Sequence, residues 1–467
     1  DYERHFGGYF REMTGDNVAP TRLLMAYAMD GFYANGGSSA YVLRAMDEAA
    51  TAVTATRDGL IEASSPGIWA DSLSLAFLPP TGPDATRFRI AVVYSPPVGE
   101  ARVVESWDRL STDPDDENFV VEVLKRSLYI NWIEGVAPSV PILVPNIDED
   151  DIVTAAEAMT VPGAGGGADL TAAAYGPLMS ERLAGVDDAA LLVAGCDAML
   201  DGADNYVEFV NAFIGFADNR PRQDLFFVGD LPRQSGSPTD ATSDALTALD
   251  DVNRKTFAGL YWPHLVVGDI VGQGRNPRIT VPPAGYVAGL FSRIDGRRGV
   301  WKAPAGTEAT LNATIELEHQ INDLHSDDLN PQGVNALRLI PGAGRVVWGA
   351  RTLVPGGEWR YVPVRRTAIF LRTSIYNGIQ WAVFEPNDEP LWASLRASVG
   401  GFMQTQFRNG AFAGRTSDEA YFVKVDAETT PEIDQAAGIV NILVGFAPLR
   451  PAEFVVVQLS QKTQTAA

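Results

Sequence analysis

Cysteine is almost missing from this 467-residue chain: Cys196 stands alone, which excludes a disulfide framework and a cysteine-rich zinc site, and fits a reducing cytoplasm. Histidine is nearly as scarce. His5, His264, His319 and His325 are the only four, the last two lack the i, i+4 spacing of a helical zinc pair, and no HExxH occurs. The sequence has no GxSxG elbow and no GxxxxGK[ST] phosphate loop. No apolar run approaches the roughly 20 residues of a membrane span, and no signal peptide is visible. The chain opens at Asp1 without an initiator Met, so some preceding sequence is expected to be absent. Positive charge is in short supply: 36 Lys and Arg against 59 Asp and Glu give a net charge of −23, which argues against nucleic acid as a partner. No internal repeat is present.

The length predicts two or three domains, and the apolar share of 46% with a charged share of 20% is ordinary for a globular protein. The acidity is unevenly spread. From Val281 onward 17 basic residues face 18 acidic ones, whereas residues 1–280 hold 19 against 41. A solubilising surface explains this blandly. The sharper reading is an acidic outer part joined to a balanced, Arg-rich part that touches something.

Thr21 to Ala34 has helical apolar spacing, Asn35-Gly36-Gly37 breaks it, and Ala40 to Ala45 reads as a short strand. Pro66 to Ile133 reads as β-rich, with strands at Leu73–Leu78, Phe88–Tyr94 and Val103–Trp107 between paired prolines. The acidic run Asp148–Asp151 and the glycine-rich Gly163–Asp169 read as linkers or loops. Gly185 to Asp269 reads as α/β, with strands at Leu191–Ala194 and Phe226–Val228. Pro282-Pro283 should open a helix. A clearer helix runs from Pro390 to Phe407, with Asp388 and Glu389 at its positive end and Leu391, Leu395, Val399, Phe402 and Met403 on one apolar stripe. Its other side carries small residues, including Ser394, Ala397, Ser398 and Gly401, with Gln404 and Arg408 further along. The chain ends on an apolar strand, Phe454, Val455, Val456, Val457, Gln458 and Leu459, a ready edge for pairing or an internal strand of its own sheet.

No constellation supports catalysis, a cofactor or a metal. One alternative is a soluble α/β enzyme using a glycine-rich loop near Gly163 or Gly272, which predicts a pocket with perturbed titrating groups there. Another is a monomeric adhesin or shell protein, whose terminal strand would pair within its own chain.

Seven signatures then follow in order: VPPAGYVAGLFSRIDGRRGVWKAPAG (281–306), GVNALRL (333–339), VVWGARTL (346–353), WRYVPVRR (359–366), QWAVFEPNDEPLW (380–392), EAYFVKVD (419–426) and VGFAPLRPAEFVVVQL (444–459). This series resembles the C-terminal half of the tail sheath proteins of contractile phages, tailocins and extracellular contractile injection systems. PGIW (66–69), VVESWDRLS (103–111) and YWPHLVVGD (261–269) match the same pattern, while Gly306 stands where the family often has Asn. The resemblance implies a multidomain α/β sheath fold. Its inner core would be discontinuous, 1–60 plus 281–467, with a β-rich inserted domain at 61–140 and an α/β inserted outer domain at 150–280. It implies a non-enzymatic structural protomer of a six-fold helical sheath around an inner tube, contracting from a metastable extended state to drive the tube through an envelope. Partners would be further copies of the chain, the inner tube protein, and baseplate and tail terminator proteins, with neither nucleic acid nor direct membrane insertion. Assembly would occur in the bacterial cytoplasm, within a phage tail or releasable tail-like particle. Phe454 to Leu459 would be the inter-subunit arm, and Ser394, Ala397, Ser398, Gly401, Gln404 and Arg408 the face turned to the tube. The family's N-terminal arm is expected to be missing, because YERHFGG at Tyr2–Gly8 opens the chain.

Overall fold

The computed structural model describes residues 10–11, 21–22, 24–45, 56–64, 70, 72–95, 100–145, 147–159, 175–195, 203–270, 272 and 275–453. Helix α1 (Leu24–Ala34) begins later than the expected Thr21, because Thr21–Arg22 pairs with Phe10–Arg11 instead. Asn35 stops α1 by turning its buried amide back to the Gly31 carbonyl (2.8 Å). The strand expected at Ala40–Ala45 is not formed. Those residues are irregular and mostly exposed, and no strand of the described residues lies beside them to complete a ladder.

The β-rich insert follows. Strands β1 (Ile61–Ala63), β2 (Leu73–Leu78), β3 (Phe88–Tyr94), β4 (Arg102–Leu110) and β5 (Ile130–Trp132) form two antiparallel sheets. One sheet has the order β4-β3-β2 with Glu157–Ala158 at its far edge; the other is Thr56–Arg57, β1, β5. The alternation of β2 and β3 buries Leu73, Leu75, Phe77, Phe88, Ile90 and Val92 on one side, each large side chain worth about 2 kcal/mol. The acidic run 148–151 is not a linker. It leads into a short helix whose Ile152 packs under Ala76, Leu78, Ala91 and Val93, and Arg57 pairs with Glu157 at 2.5 Å. The insert therefore extends past residue 140 and closes near 158.

The central sheet has the order β6 (Leu191–Val193), β7 (Phe226–Asp230), β8 (Ala258–Trp262), β11 (Val334–Ile340), β12 (Gly344–Val347). Its first four strands are parallel, and their near-continuous apolar sequences suit burial on both faces. Helix α2 (Ala203–Asn219) connects β6 to β7, and α3 (Pro238–Thr247) connects β7 to β8. After a cis Trp262–Pro263 bond, β9 (Leu265–Gly268) pairs with β10 (Arg278–Val281), so the YWPHLVVGD segment is shared between β8 and β9. Helix α4 (Ala284–Arg298) opens after Pro283, as the paired prolines predict. The Asp230 carboxylate, buried at the end of β7, accepts from Ala284 N–H at 2.6 Å. Burial pushes that carboxyl well above its ordinary range, with the Ala284 N–H acting against the rise.

Helices α1 and α4 meet backbone to backbone. A Cβ on Gly285 would lie 2.5 Å from the Ala28 carbonyl oxygen, and one on Gly289 2.2 Å from that of Phe32. Asn35 adds a staple to the Asn312 backbone, accepting its N–H at 2.8 Å. One hydrophobic core runs from Tyr27 through Phe226, Leu260 and Leu290 to Val334 and Ile369. The domain boundary expected at residue 280 is thus corrected: β8 pairs with β11 in register from Leu260–Val334 to Trp262–Ala336, so residues 191–262 complete the sheet of the later segment. The α/β class itself holds.

Candidate functional site

Helix α5 (Val362–Gly378) leaves this core with Val362, Val364 and Ile369 buried, and carries the chain into a smaller C-terminal module. There α6 (Glu389–Arg408) forms where its sequence predicts. Asp388 accepts from Leu391 N–H at 3.2 Å as N-cap, and Pro390 sits in the first turn. Leu391, Leu395, Val399 and Met403 are buried, and Phe402 is half-buried beside Phe370. Against this side lies an antiparallel pair, β13 (Tyr421–Lys424) and β14 (Leu443–Phe446).

The opposite face of α6 is open. Ser394, Ala397, Ser398, Gly401 and Arg408 are exposed, and an added Cβ on Gly400 or Gly401 would meet nothing within 4 Å. Gln404 departs from the expected set: it is half-buried, and its amide oxygen accepts from the Tyr421 hydroxyl at 2.8 Å. The remaining five share one exposed face, built by helical spacing alone.

The β13–β14 pair has two free outer edges among the described residues. Phe422 and Leu443 stand exposed on its outer side, with the Phe422 ring lying over its cross-strand partner Gly445. Phe454, Val455, Val456, Val457, Gln458 and Leu459 lie outside the described residues. The residue just before them is firmly held. Arg351 donates to Glu453 through Nε (2.8 Å) and Nη2 (2.6 Å) and to the Asn330 carbonyl through Nη1 (3.0 Å), while the Tyr361 hydroxyl donates to Glu453 at 3.3 Å. Burial would raise the Glu453 carboxyl, but the Arg351 hydrogen bonds and charge, helped by Tyr361 and Arg360, hold it below its ordinary value. Sequence reasoning missed this clamp: its partners are 102 residues apart, and an isolated Arg or Glu carries no pairing signal.

Around the glycines of the enzyme alternative, Gly163 and also Cys196 lie outside the described residues. Gly272 sits in a tight loop, where a Cβ would fall 2.4 Å from that of Pro277. The neighbouring cleft, lined by Gly268, Asp269, Asn276 and Arg278, is shallow and open. Among the described residues no three metal-ligating side chains gather, and no helix is long and apolar enough to cross a membrane.

Two histidines have structural roles. His264, 1% exposed, donates Nε2–H to the Leu231 carbonyl (2.9 Å), and His319 stacks on Trp262 beside the Gln234 carbonyl. Burial lowers the His264 pKa; the Leu231 bond and Glu318 act upward, Arg233 and His319 downward. The unfolded chain therefore takes up this proton first, and stability falls as pH drops through about 6.5. The urea midpoint is expected to be lower at pH 5 than at pH 7, by less in His264→Gln; an equal drop in both chains would remove His264 as the cause.

A family model described as the phage tail sheath C-terminal domain matches residues 355–462, spanning α5, α6 and the β13–β14 pair. Among solved structures, a chain of the PVC sheath complex, an extracellular contractile injection system in its contracted state, shares 30% identity. That match covers 60% of this chain and 73% of that one, with a TM-score of 0.51. The chain belongs to the contractile tail sheath family. A chain of the anti-feeding prophage baseplate is similar at 27% identity, over 66% of this chain and 77% of that one, with a TM-score of 0.52. The sheath tail protein Lin1278 of Listeria innocua shares the fold at 11% identity, over 85% and 81% of the two chains, with a TM-score of 0.51. Among curated proteins none matches. The open face of α6 and the free-edged β13–β14 pair are thus surfaces of a sheath protein, in the part that the family model covers.

Proposed function

We propose that this chain is the sheath protomer of a contractile injection machine, working by assembly and not by catalysis. The observation that carries the reading is the β13–β14 pair. Two strands with two unpaired edges make a marginal sheet, and the largely apolar sequence Phe454–Leu459 follows the anchored Glu453. In this reading Phe454–Leu459 adds to the free edge of the equivalent pair in a neighbouring copy. The exposed face Ser394, Ala397, Ser398, Gly401 and Arg408 turns to the inner tube, its small side chains allowing close approach without a large apolar contact. Such a contact lets go.

Identical copies joined by non-self-complementary contacts build open helices, here of six-membered rings. Contraction moves near-rigid subunits from a metastable packing to a lower one, and differences of a few kcal/mol per copy add up along a sheath without nucleotide hydrolysis. The array would assemble in the cytoplasm on a baseplate and be capped by a terminator.

Electron microscopy of the full-length protein with its cognate tube protein tests this. The expected result is a hollow helical sheath with six-fold end views, lost when residues 454–467 are deleted although the truncated chain keeps its unfolding transition. Dispersed monomers at every concentration would sink the reading.

A further inference from the structure

The positive end of α5 gathers cations. Arg360, Arg365 and Arg366 stand at or just inside its start, where outward N–H groups already carry partial positive charge, and no acidic residue lies in the first turn. Two of the three are engaged. Arg366 is buried and grips Asp295 at 3.0 and 2.5 Å, and Arg360 donates to the Tyr361 hydroxyl at 2.8 Å.

Arg365 differs. Its guanidinium carbon lies 4.0 Å from the ring centroid of Trp359 and 4.3 Å from that of Phe257. Its Nε is shut away from solvent without an acceptor, and among the described residues no carboxylate, carbonyl or hydroxyl accepts a hydrogen bond from its side chain. Two rings fix its orientation, yet its terminal nitrogens have no use within the fold. Desolvation pulls its pKa down to about 10, with Asp218 acting in the opposite direction. The charge is therefore only partly compensated in the isolated chain. Trp359 and Arg365 are half-buried beside an exposed loop at 355–358, so a group from outside can reach them.

We propose that Arg365, held against Trp359 and Phe257, is a docking point for a carboxylate of a second copy of this chain. Charge complementarity favours that occupant. The chain carries 59 acidic against 36 basic residues, and 41 of those acids precede residue 281, whereas Arg365 lies in the balanced part. Arginine and tryptophan are also among the residues enriched at interface hot spots. A carboxylate arriving here meets a pre-oriented donor fork at a helix N-terminus, in partly desolvated surroundings that strengthen the pairing. The contact rests on the sheath-assembly reading.

The test follows assembly of the full-length chain by sedimentation over a range of concentration and salt. In Arg365→Gln, which keeps a planar group between the rings but removes the charge, the concentration needed for assembly at low salt is expected to rise about tenfold. The wild-type salt dependence should flatten, with the monomer's unfolding transition unmoved. A second variant identifies the partner. Arg365→Lys, mixed with isotope-labelled wild type and treated with a zero-length carbodiimide, should give an inter-chain cross-link from the introduced amine to an Asp or Glu of the other copy. A cross-link only to Asp218 of its own chain overturns the proposal, as does unchanged assembly of Arg365→Gln at every salt. A wild-type chain that never associates overturns both this contact and the sheath reading; assembly indifferent to Arg365 overturns this contact alone.

Discussion

Gly289→Val is expected to lower the urea midpoint sharply, with a cost of about 3 kcal/mol or more. The reason is backbone, not side chain. The new Cβ would fall 2.2 Å from the Phe32 carbonyl oxygen of α1, and that oxygen cannot rotate away as a side chain would. The helices must separate, which opens the core around Tyr27 and Leu290 and strains the Asn35–Asn312 staple. Gly401→Ala supplies the contrast. Its Cβ meets nothing within 4 Å on an exposed helix face, so removing glycine's backbone freedom should stabilise the monomer by about 0.5 to 1 kcal/mol. Denaturation of the two variants with a common probe gives shifts of opposite sign. A loss in both would mean that the α6 face is covered in solution.

Arg351→Met is the second large change, costing about 3 kcal/mol locally. It leaves the Glu453 carboxylate, 15% exposed at its side chain, without its cation and with only the Tyr361 hydroxyl donating to it. Glu453→Gln should cost less, because its amide oxygen still accepts from Arg351. The pH dependence has a definite sign. The folded Glu453 titrates below its ordinary value, so the clamp contributes fully above the unfolded pKa, near 4.5, and is lost as pH falls through the folded one. Hydrogen exchange across residues 443–453 is the measurement. Faster exchange in Arg351→Met at pH 7, with wild type approaching it only in acid, is the expected pattern; exchange unchanged by the substitution would show that other contacts hold the segment.

The sequence announces local structure better than partnership. α6 is legible almost to its ends because Asp388, Pro390 and the Leu391–Leu395–Val399–Met403 stripe are all short-range signals. Strands β2 and β3 are legible to the residue for the same reason. The boundary at residue 280 fails because apolar strand sequences show burial but not which strand lies alongside: Leu260 meets Val334 across the parallel sheet. Ala40–Ala45 has strand composition, yet a strand exists only where a neighbour accepts its hydrogen bonds. Gln404 is half-buried where the rest of its expected set is exposed, since helical periodicity places it near the open face of α6 but cannot foresee Tyr421. Arg351 and Glu453 are invisible as a pair until the fold joins them.

The staple between Asn35 and Asn312 spans 277 residues, and this sets a timetable for synthesis. As the chain emerges from the ribosome, α1 has no partner until α4 has been made, and β8 waits for β11 to cover its open edge. The β-rich insert, by contrast, holds both edges of its main sheet between residues 73 and 158 and can close while translation continues. Between the synthesis of Ala158 and that of Ile340 the nascent protein would therefore carry one finished lobe and one half-built hydrophobic layer. Its interval of greatest exposure to chaperones falls before α6 and the β13–β14 pair have been translated.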